Sequence, residues 1–493
     1  MNNAQQQAGS SDATATHGKG KSIGVVDTTL RDAHQCLWAT RMTTAHMLPV
    51  ADMMDNIGFE RIDLAGTIQF DVCVRYLKEN PWERVRLMRD RLQKTPMSSF
   101  TRSKSIMSFD FIPDDIVELW VERLVANGFR EIGTFDGLND VDNMLVTINA
   151  ARKLGVRAIG AVSYGLSPVH TDEVYVKTVT DLVKRGKVDA IWIKDAGGLL
   201  TVDRIRTLVP ALKQVMGNIP LELHSHCMTG IAPLMYLEGI QAGADAVHTS
   251  IAPLANGNAQ PSIQNIASNL RALGYKVDLD DALIGRVGEH FRRVAEQEGK
   301  PLGQVQEYDA FHYEHQLPGG MMANFRVQLQ ELGMSHKYQE VLEECARVRK
   351  ELGYPILITP FAQFVGTQAV MNVLHGERYK IVPDEVKKYA LGYYGKLLSP
   401  VDPAVMDKIV ENGSQRIALK SEPLAPALHK LRAQHPNMSD DERVLRFMYA
   451  GNQVGEMLAA GPMKTTYEFE APLVRLMREL AERRYSKIWL GGA

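Results

Sequence analysis

The segment DAIWIKDAGG (189–198) is followed by TVDRIRTLVPALKQVMG (201–217) and then by LELHSHCMTG (221–230). The first and third segments open with apolar or β-branched residues and end in polar residues beside glycine, which is typical of strands. The middle segment has apolar residues three and four positions apart, which predicts a helix. Two strands joined through a helix pair in parallel, so this stretch predicts a β-α-β unit.

The same alternation extends over the N-terminal half of the chain. Short apolar or β-branched runs recur eight times, each before a stretch with helical spacing, and the runs are GVVDTT (24–29), RIDLAG (61–66), MSSFTRS (97–103), REIGTFDG (130–137), RAIGAVSYG (157–165), DAIWIKDAGG (189–198), LELHSHCMTG (221–230) and DAVHTSIA (245–252). Eight such repeats predict an α/β fold, a closed (β/α)8 TIM barrel. An open doubly wound sheet is the alternative, although no GxGxxG phosphate turn follows an early run.

The pattern changes after residue 305. Helical segments separated by Pro and Gly follow, at 316–333, 337–353, 360–376 and 383–395. A chain of 493 residues is long enough for two cores, so we predict a barrel domain at 21–304 and a helical C-terminal domain at 305–493. Residues 1–20 are polar and small and lack the apolar stretch of a secretory signal, which predicts a disordered tail.

The composition is that of an ordinary globular protein, with 45% hydrophobic residues, 23% charged residues and a formal net charge of −2. There is no polybasic surface and no apolar run long enough to span a bilayer, so we expect neither a nucleic-acid partner nor a membrane span. The cysteines are scattered and lack CxxC spacing; they are Cys36, Cys73, Cys227 and Cys345. This predicts reduced thiols that form no thiolate metal site, in a cytoplasmic protein.

Side chains that can bind a metal stand where the predicted strands end. Asp32 follows the first strand, Lys194 ends the sixth, and His224 and His226 lie two positions apart on the seventh. Period two puts both imidazoles on one face of a strand. The active site of a TIM barrel lies at these strand ends, and two imidazoles with a carboxylate can bind Zn²⁺, Mn²⁺, Co²⁺ or Fe²⁺. The alternatives are an Asp32 turn, histidines with ordinary hydrogen bonds, and an ion pair of Lys194 with Asp32 or Asp195.

A series of motifs, in order from about residue 24 to 400, resembles the carboxyltransferase unit of biotin-dependent enzymes. The motifs are DTTLRDAHQCLWATRM (27–42), NPWERVR (80–86), SPVHT (167–171), KDAGGLL (194–200), LHSHCMTG (223–230), LPGGMMANFRVQLQELG (317–333), VGTQAVMNV (365–373) and LGYYG (391–395). That family includes pyruvate carboxylase, the oxaloacetate decarboxylase α chain and the central subunit of transcarboxylase. The chain is more distantly similar to metallolyases related to hydroxymethylglutaryl-CoA lyase.

The resemblance implies a divalent metal, Zn, Mn or Co, and a lysine carboxylated by CO₂. These roles fall on Asp32, Lys194, His224 and His226, and the metal would polarise a carbonyl to stabilise an enolate. Carbamylation fits because it turns a cationic Lys194 side chain into an anionic ligand.

Other family site residues correspond to positions around this predicted centre. Arg102, at the end of the third strand, matches an arginine that holds a keto-acid substrate, the alternative being an ordinary surface or ion-pair arginine. Arg31 and Gln35, which flank Asp32, resemble further site residues with a catalytic role. Tyr164 is predicted to face the lumen and bind substrate, or else to be a core tyrosine.

The chain departs from the family pattern where relatives contact their substrates. Larger residues, Ile68 and Gln69, stand in the run Ala65–Asp71, and Gly133 stands where the family has an arginine. Ala323 takes the place of a hydroxyl residue that the family uses to pass a proton to biotin. A methyl group has no exchangeable proton, so Ser262 or a water takes that task, or carboxybiotin is not the partner.

The sequence contains no biotin-carrier signature of the E-A-M-K-M type, and Met463-Lys464-Thr465 is a poor match to it. We therefore predict a metal-dependent carboxyltransferase or decarboxylase acting on a keto acid, with any biotin on a separate carrier chain beside a biotin carboxylase subunit. The alternatives are a biotin-independent C–C lyase, aldolase or decarboxylase, and a non-catalytic scaffold barrel. The resemblance also implies a homodimer.

Overall fold

The structure is a computed structural model that describes residues 20–331, 333–411 and 423–482. The predicted disordered tail at 1–20 lies outside the described residues, except for Gly20. Residues 412–422 and 483–493 of the predicted C-terminal domain lie outside them as well.

The first half of the chain forms a closed parallel barrel whose strands follow chain order. The strands are β1 (Gly24–Asp27), β2 (Arg61–Gly66), β3 (Met97–Arg102), β4 (Glu131–Phe135), β5 (Arg157–Ser163), β6 (Ala190–Asp195), β7 (Leu221–Ser225) and β8 (Ala246–Thr249). Parallel strands are covered on both faces, which is why β6 is wholly buried and its first four residues are apolar. The closed barrel confirms the predicted TIM-barrel fold and rules out the open sheet.

Helices follow or connect the strands, and those before residue 300 are α1 (His34–Leu37), α2 (Thr44–Met54), α3 (Thr67–Val72), α4 (Pro81–Arg89), α5 (Asp114–Asn127), α6 (Val141–Lys153), α7 (Asp172–Asp181), α8 (Val202–Met216), α9 (Ala232–Gln241), α10 (Ile263–Ala272) and α11 (Asp281–Glu298). The later ones are α12 (His312–His315), α13 (Gly319–Glu331), α14 (Tyr338–Glu351), α15 (Phe361–His375), α16 (Asp384–Ala390), α17 (Pro403–Glu411), α18 (Leu428–Gln434), α19 (Asp440–Met448), α20 (Gln453–Ala459) and α21 (Pro472–Glu482). In the part of the chain that the structure describes, none of these helices has the length and apolar character needed to cross a bilayer.

The Ser/Thr-rich run at 97–103 forms β3 in spite of its composition. Its one aromatic residue, Phe100, stacks against Phe135 and Trp192, with ring centroids 5.1 and 4.7 Å apart. The small hydroxyl side chains beside Phe100 are buried with it. A single aromatic residue therefore supplies much of the apolar packing that the hydroxyl residues of the strand lack.

Helices α13 to α17 share a second hydrophobic core, which contains Leu317, Val341, Phe361 and Ile409. The loop between α14 and α15 leaves that core, and its Ile356 and Ile358 pack with Phe100, Phe135 and Trp192 of the barrel. This helical region therefore lies against the carboxyl ends of the strands, where a TIM barrel has its active site.

The last helices return to the barrel. Val444, Leu445 and Tyr449 belong to the hydrophobic core of the barrel, not to the core of α13 to α17. Asp441, at the start of α19, forms ion pairs with Arg86 (3.0 Å) and Arg123 (2.8 Å) on α4 and α5. The predicted division of the chain at 304/305 stays a prediction, and α19 and α20 pack on the barrel side of it.

Candidate metal centre

Asp32 is placed by a tight turn directly after β1. Residues Thr29–Ala33 form one π-helical turn, in which the N–H groups of Arg31, Asp32 and Ala33 all donate to the carbonyl of Thr28. The Thr28 hydroxyl in turn donates to the carbonyl of Thr249 on β8, at 3.0 Å. The turn is therefore fixed to the seam where the barrel closes, and it holds the Asp32 carboxylate inside the barrel mouth.

His224 on β7 and His226 directly after that strand contact this carboxylate. His224 Nε2 lies 3.0 Å and His226 Nε2 lies 3.3 Å from Asp32 Oδ2. All three side chains are buried. The structure thus brings together three of the four residues that the sequence predicts as metal ligands, whose role as ligands stays a prediction.

The unpartnered nitrogen of His224 fits a metal site. His224 Nε2 is buried and has no hydrogen-bond partner, although it faces the Asp32 carboxylate. Ligand atoms bound at about 2.0–2.2 Å and at right angles around a divalent ion are about 3 Å apart, as these atoms are. A cation between the two groups would satisfy both the nitrogen lone pair and the carboxylate.

Gln260 and Cys36 also belong to this cluster, and sequence reasoning missed both. Gln260 Nε2 donates to Asp32 Oδ2 at 2.9 Å and lies 3.1 Å from His226 Nε2. Cys36 Sγ lies 3.8 Å from both Asp32 Oδ1 and His226 Nδ1. Gln260 comes from the loop after β8, and its local sequence gives no reason to predict a site residue. Cys36 could have been predicted, because a spacing of four residues on a helical turn places it next to Asp32.

The expectation that no cysteine takes part in a metal site stays a prediction, although Cys36 lies close to the predicted ligands. All four cysteines are free thiols, as expected. Within the described residues, however, Asp32, Cys36 and His226 form a group whose ligand-type atoms lie within 4.8 Å of one another. Widely separated cysteines in the sequence did not exclude this, because the other members of the group come from β1 and β7 rather than from a second thiol.

Lys194 lies beside the cluster. In the register of β6 and β7 it is the direct partner of His224. Its ammonium group lies 5.0 and 5.6 Å from the ring centroids of Phe100 and Phe135. Burial lowers the pKa of Lys194 to about 8, which brings its neutral amine within reach of physiological pH.

Arg31 is tied to two carboxylates. Its Nη1 lies 3.1 Å from Asp32 Oδ1, and its Nε donates to Asp63 Oδ2 at 2.7 Å. Burial would raise the pKa of Asp32, but the charge of Arg31 and the contacts with the two histidines hold it well below its usual range. Arg31 therefore keeps Asp32 ionised, as a metal ligand must be.

Gln35 and Gln69 meet behind Arg31. Gln69 Nε2 donates to the carbonyl of Arg31 at 2.8 Å and to Gln35 Oε1 at 3.2 Å. Gln69 Oε1 accepts the N–H of Gly66 at 2.8 Å, at the end of β2. Gln69 therefore supports the turn that carries Asp32. The side chain of its neighbour, Ile68, is 39% exposed.

Arg102 and Tyr164 are not joined to this centre by any hydrogen bond or ion pair of the described residues. Arg102 Nε and Nη2 donate to the carbonyl of Ile106 at 3.3 and 3.2 Å, and burial lowers the pKa of Arg102 to about 10. Tyr164 is buried and stacks on Tyr175, with centroids 5.3 Å apart. Ala323 lies on α13, but its side chain lies outside the described residues.

The space at Gly133 is filled. A Cβ atom at this position would come within 2.7 Å of Phe100 Cδ2, so the ring occupies the volume that a side chain would need. The arginine that the family resemblance predicts at this position is absent, and the stack of Phe100 with Phe135 and Trp192 lies there instead.

Comparison with known proteins identifies the family of the chain. Residues 313–455 match the family described as a conserved carboxylase domain, and residues 139–290 match the family described as HMGL-like. The chain is 43% identical over 407 residues to a pyruvate carboxylase subunit from Methanocaldococcus jannaschii, in a match that covers 82% of this chain and 71% of that one. It is 34% identical over 408 residues to the methylmalonyl-CoA carboxyltransferase 5S subunit of Propionibacterium freudenreichii, with 82% and 79% covered.

Among solved structures, the carboxyl transferase domain of Rhizobium etli pyruvate carboxylase with pyruvate and biocytin superposes with a TM-score of 0.82. The two chains are 26% identical, and the match covers 89% of this chain and 78% of that one. The similarity therefore includes both the barrel and the helices that lie on its mouth.

Proposed function

The chain belongs to the carboxyltransferase family of biotin-dependent carboxylases, and we propose that it transfers a carboxyl group between carboxybiotin on a separate carrier chain and a 2-keto acid at a divalent metal centre. The observation that carries the proposal is the convergence of Asp32, His224 and His226 on one buried point, where the Nε2 atoms of both histidines face the same carboxylate oxygen. Zn²⁺, Mn²⁺ and Co²⁺ suit this mixed set of ligands.

A bound metal supplies Lewis acidity, which draws electron density from a substrate carbonyl and so stabilises the enolate. Asp32, His224 and His226 would hold it, and Arg31 keeps the Asp32 carboxylate ionised. Burial by the surrounding helices excludes water from these groups, which strengthens their electrostatic effect on the substrate.

We propose Lys194 as the fourth ligand, after reaction with CO₂. The lone pair of its neutral amine attacks the carbon of CO₂, an N–C bond forms and one proton leaves the nitrogen. The product is an anionic carbamate, which a cation beside it stabilises. The lowered pKa of Lys194 and its place next to His224 support this role, since the reactive form is the free amine.

The substrate is a small 2-keto acid, with pyruvate as the first choice. Two findings support it: the name of the similar Methanocaldococcus protein, and the pyruvate in the similar Rhizobium structure. Arg102 has a buried Nη1 without a hydrogen-bond partner, and its guanidinium fork suits a carboxylate. We assign Arg102 to the substrate carboxylate, and Gln35 and Tyr164 to the surface around it.

The transfer breaks the N–C bond of carboxybiotin and forms a C–C bond at the enolate carbon, while the biotin nitrogen receives the proton that this carbon has lost. Ala323 cannot pass that proton. The Ser262 hydroxyl accepts the N–H of Asn265 at 3.4 Å as the N-terminal cap of α10, which ties it to the helix. A water molecule is therefore the proposed carrier.

We propose three further features of the working enzyme. A biotinylated carrier and a biotin carboxylase subunit are its partners, two copies of the chain form a homodimer, and the complex acts in the cytoplasm. The free thiols support a reducing compartment. Lys464 is exposed but lacks the carrier signature, so we expect no biotin on this chain.

The direct test is decarboxylation of oxaloacetate with free biotin as the acceptor. We expect turnover by protein reconstituted with Zn²⁺, Mn²⁺ or Co²⁺, loss of turnover after chelation, and recovery on adding metal back. Lys464→Arg is the matched control and should behave as the unaltered protein. Turnover that is independent of metal would refute the proposal.

A biotin-independent C–C lyase or decarboxylase is the second candidate. It is favoured by Ala323, which lacks a transferable proton, and by Gly133, where the ring of Phe100 replaces an arginine. Metal-dependent oxaloacetate decarboxylation that free biotin does not stimulate would support this candidate. Stimulation by biotin would exclude it.

A further inference from the structure

A line of polar side chains runs from the metal centre into the interior of the barrel. His224 Nδ1 lies 3.1 Å from His248 Nδ1, and His248 Nε2 lies 2.9 Å from Glu222 Oε2. Arg61 closes the line with a two-point ion pair, in which Nη1 donates to Glu222 Oε1 at 3.0 Å and Nη2 binds the other oxygen. Buried polar groups linked in this way are expensive unless every member is satisfied.

The four residues sit on rigid elements. Arg61 lies on β2, Glu222 and His224 lie on β7, and His248 lies on β8. Each is at most 1% exposed. Trp192 closes the space around them, since its ring packs edge-on against His248 with centroids 4.3 Å apart and lies parallel to His224. No loop movement is needed to bring the groups together.

The partners decide which nitrogens carry protons. Glu222 is held as an anion by Arg61 and can only accept hydrogen bonds. His248 therefore donates from Nε2, and as a neutral imidazole it has a lone pair at Nδ1. His224 must then donate from its own Nδ1, which leaves a lone pair at Nε2, the atom that faces Asp32.

Other proton arrangements fit the contacts less well. If His248 Nε2 accepted a hydrogen bond from Arg61 Nη2, which lies 3.3 Å away, its lone pair would face the Glu222 carboxylate at 2.9 Å. If both histidines were protonated on both nitrogens, two N–H groups would face each other across 3.1 Å. With a cation between His224 Nε2 and Asp32 Oδ2, a single proton between the two rings avoids both repulsions, because the Nε2 lone pair then binds the cation instead of facing the carboxylate.

We propose that His248, held by Glu222 and Arg61, is a positioning residue that fixes the tautomer and ring orientation of His224 and so presents the Nε2 lone pair to the metal. The inference rests on the proposed metal centre. It assigns a role to three buried residues: His248, which contacts the ligand His224, and Glu222 and Arg61, which hold His248. Partners behind a metal ligand commonly change metal affinity by about 10–100-fold.

A purely structural role for the same residues makes a different prediction. Altering a buried ion pair that only stabilises the barrel would change the melting temperature. Zn²⁺ affinity would then be the same for a hydrogen-bonding residue and an apolar residue of equal shape at position 248. Leu and Asn have nearly the same shape, and only Asn offers an oxygen that can accept the N–H of His224. Both lose the contact with Glu222 equally.

The test compares His248→Leu with His248→Asn in the full chain, measuring the Zn²⁺ dissociation constant by competition with a chromogenic chelator. We expect His248→Leu to weaken Zn²⁺ binding by about 10–100-fold and His248→Asn by no more than about threefold. Equal losses in the two variants, or unaltered binding in His248→Leu, would overturn the inference. An unaltered protein that binds no Zn²⁺ would contradict the metal centre itself as well.

Nitrogen NMR of histidine-labelled, unaltered protein loaded with Zn²⁺ gives an answer that needs no variant to fold. We expect a neutral His224 with its proton on Nδ1 and a neutral His248 with its proton on Nε2. The ring-nitrogen signals that disappear from the spectrum of His248→Asn belong to His248, which assigns them. The opposite tautomers on the two rings would refute the inference even if the Leu variant proved too unstable to purify.

Discussion

The two sides of the strand-end site differ in how they are held. On the metal side, Asp32, His224 and His226 touch one another and are backed by Arg31 and Gln260. On the substrate side, Arg102 donates to the backbone of its own loop and Tyr164 stacks on a tyrosine, while neither forms a hydrogen bond or ion pair with the metal side among the described residues.

The difference teaches which part of the chemistry the fold itself determines. The metal side is built from strand register and from the turn after β1, so its geometry follows from closing the barrel. The proposed substrate side also contacts the helical region on the mouth, and Gly133 on β4 and Ile68 on α3 depart from the pattern that the family resemblance predicts. The proposed metal site is therefore fixed more firmly by the fold than the proposed substrate site.

The largest effect is expected at the junction of the two sides. Lys194→Ala removes the amine that would become the fourth ligand, so we expect activity to fall by more than about a hundredfold. Metal affinity of the unaltered protein should drop when CO₂ is removed from the buffer, and that of Lys194→Ala should not respond. If Lys194→Ala turned over substrate at the rate of the unaltered protein, Lys194 would not be a metal ligand.

The pH dependence of metal binding tests the metal side of the site alone. Burial opposes a charged imidazole, but Cys36 and Asp32 outweigh it and raise the pKa of His226 to about 10 in the metal-free protein. The metal needs neutral His226, so binding displaces one proton below that pKa. In buffer free of CO₂, where Lys194 forms no carbamate and releases no further proton, affinity should then rise by about tenfold per pH unit, or about a hundredfold from pH 6 to pH 8. Chelator competition measures this, and an affinity that is flat over this range would contradict the proton count.

Arg102 separates the substrate side from the metal side. Arg102→Lys keeps the charge but loses the planar fork, and a lost charge-assisted hydrogen bond costs about 1.5–3 kcal/mol. We expect KM for the keto acid to rise by about 10–100-fold while metal affinity stays constant. A parallel loss of metal would show that the two sides are not independent.

Ala323→Thr should produce the smallest change and the only gain. A hydroxyl at this position can relay a proton between the substrate carbon and biotin, which is worth at least about tenfold when it is well placed. The measurement is biotin-stimulated decarboxylation of oxaloacetate, with Ala323→Val as a control of equal shape. An equal response of the two variants would show that proton relay does not limit the rate.

Sequence periodicity was sufficient to predict the barrel and part of the site. The period of two placed His224 and His226 together, and the end of a strand marked Asp32 and Lys194. Even the Ser/Thr-rich run at 97–103 forms a strand, because Phe100 provides aromatic contacts with Phe135 and Trp192. These features depend on local pattern and on the parallel register alone.

The residues that support the centre could not be predicted in the same way. Gln260 and Asp63 reach the site from loops and strands far apart in the chain, and nothing in their local pattern differs from ordinary polar residues. Glu222 and His248 carried a faint signal, since each is a polar residue within an apolar strand run. Their pairing is set by barrel closure, which brings β2, β7 and β8 together.

The most direct test of the central claim is anomalous diffraction from crystals soaked in Zn²⁺, recorded on both sides of the zinc absorption edge. The account predicts one strong peak about 2.0–2.2 Å from Asp32 Oδ2, His224 Nε2 and His226 Nε2. Saturating Zn²⁺ with no peak among these three atoms, or a peak bound elsewhere while they remain apart, would contradict it.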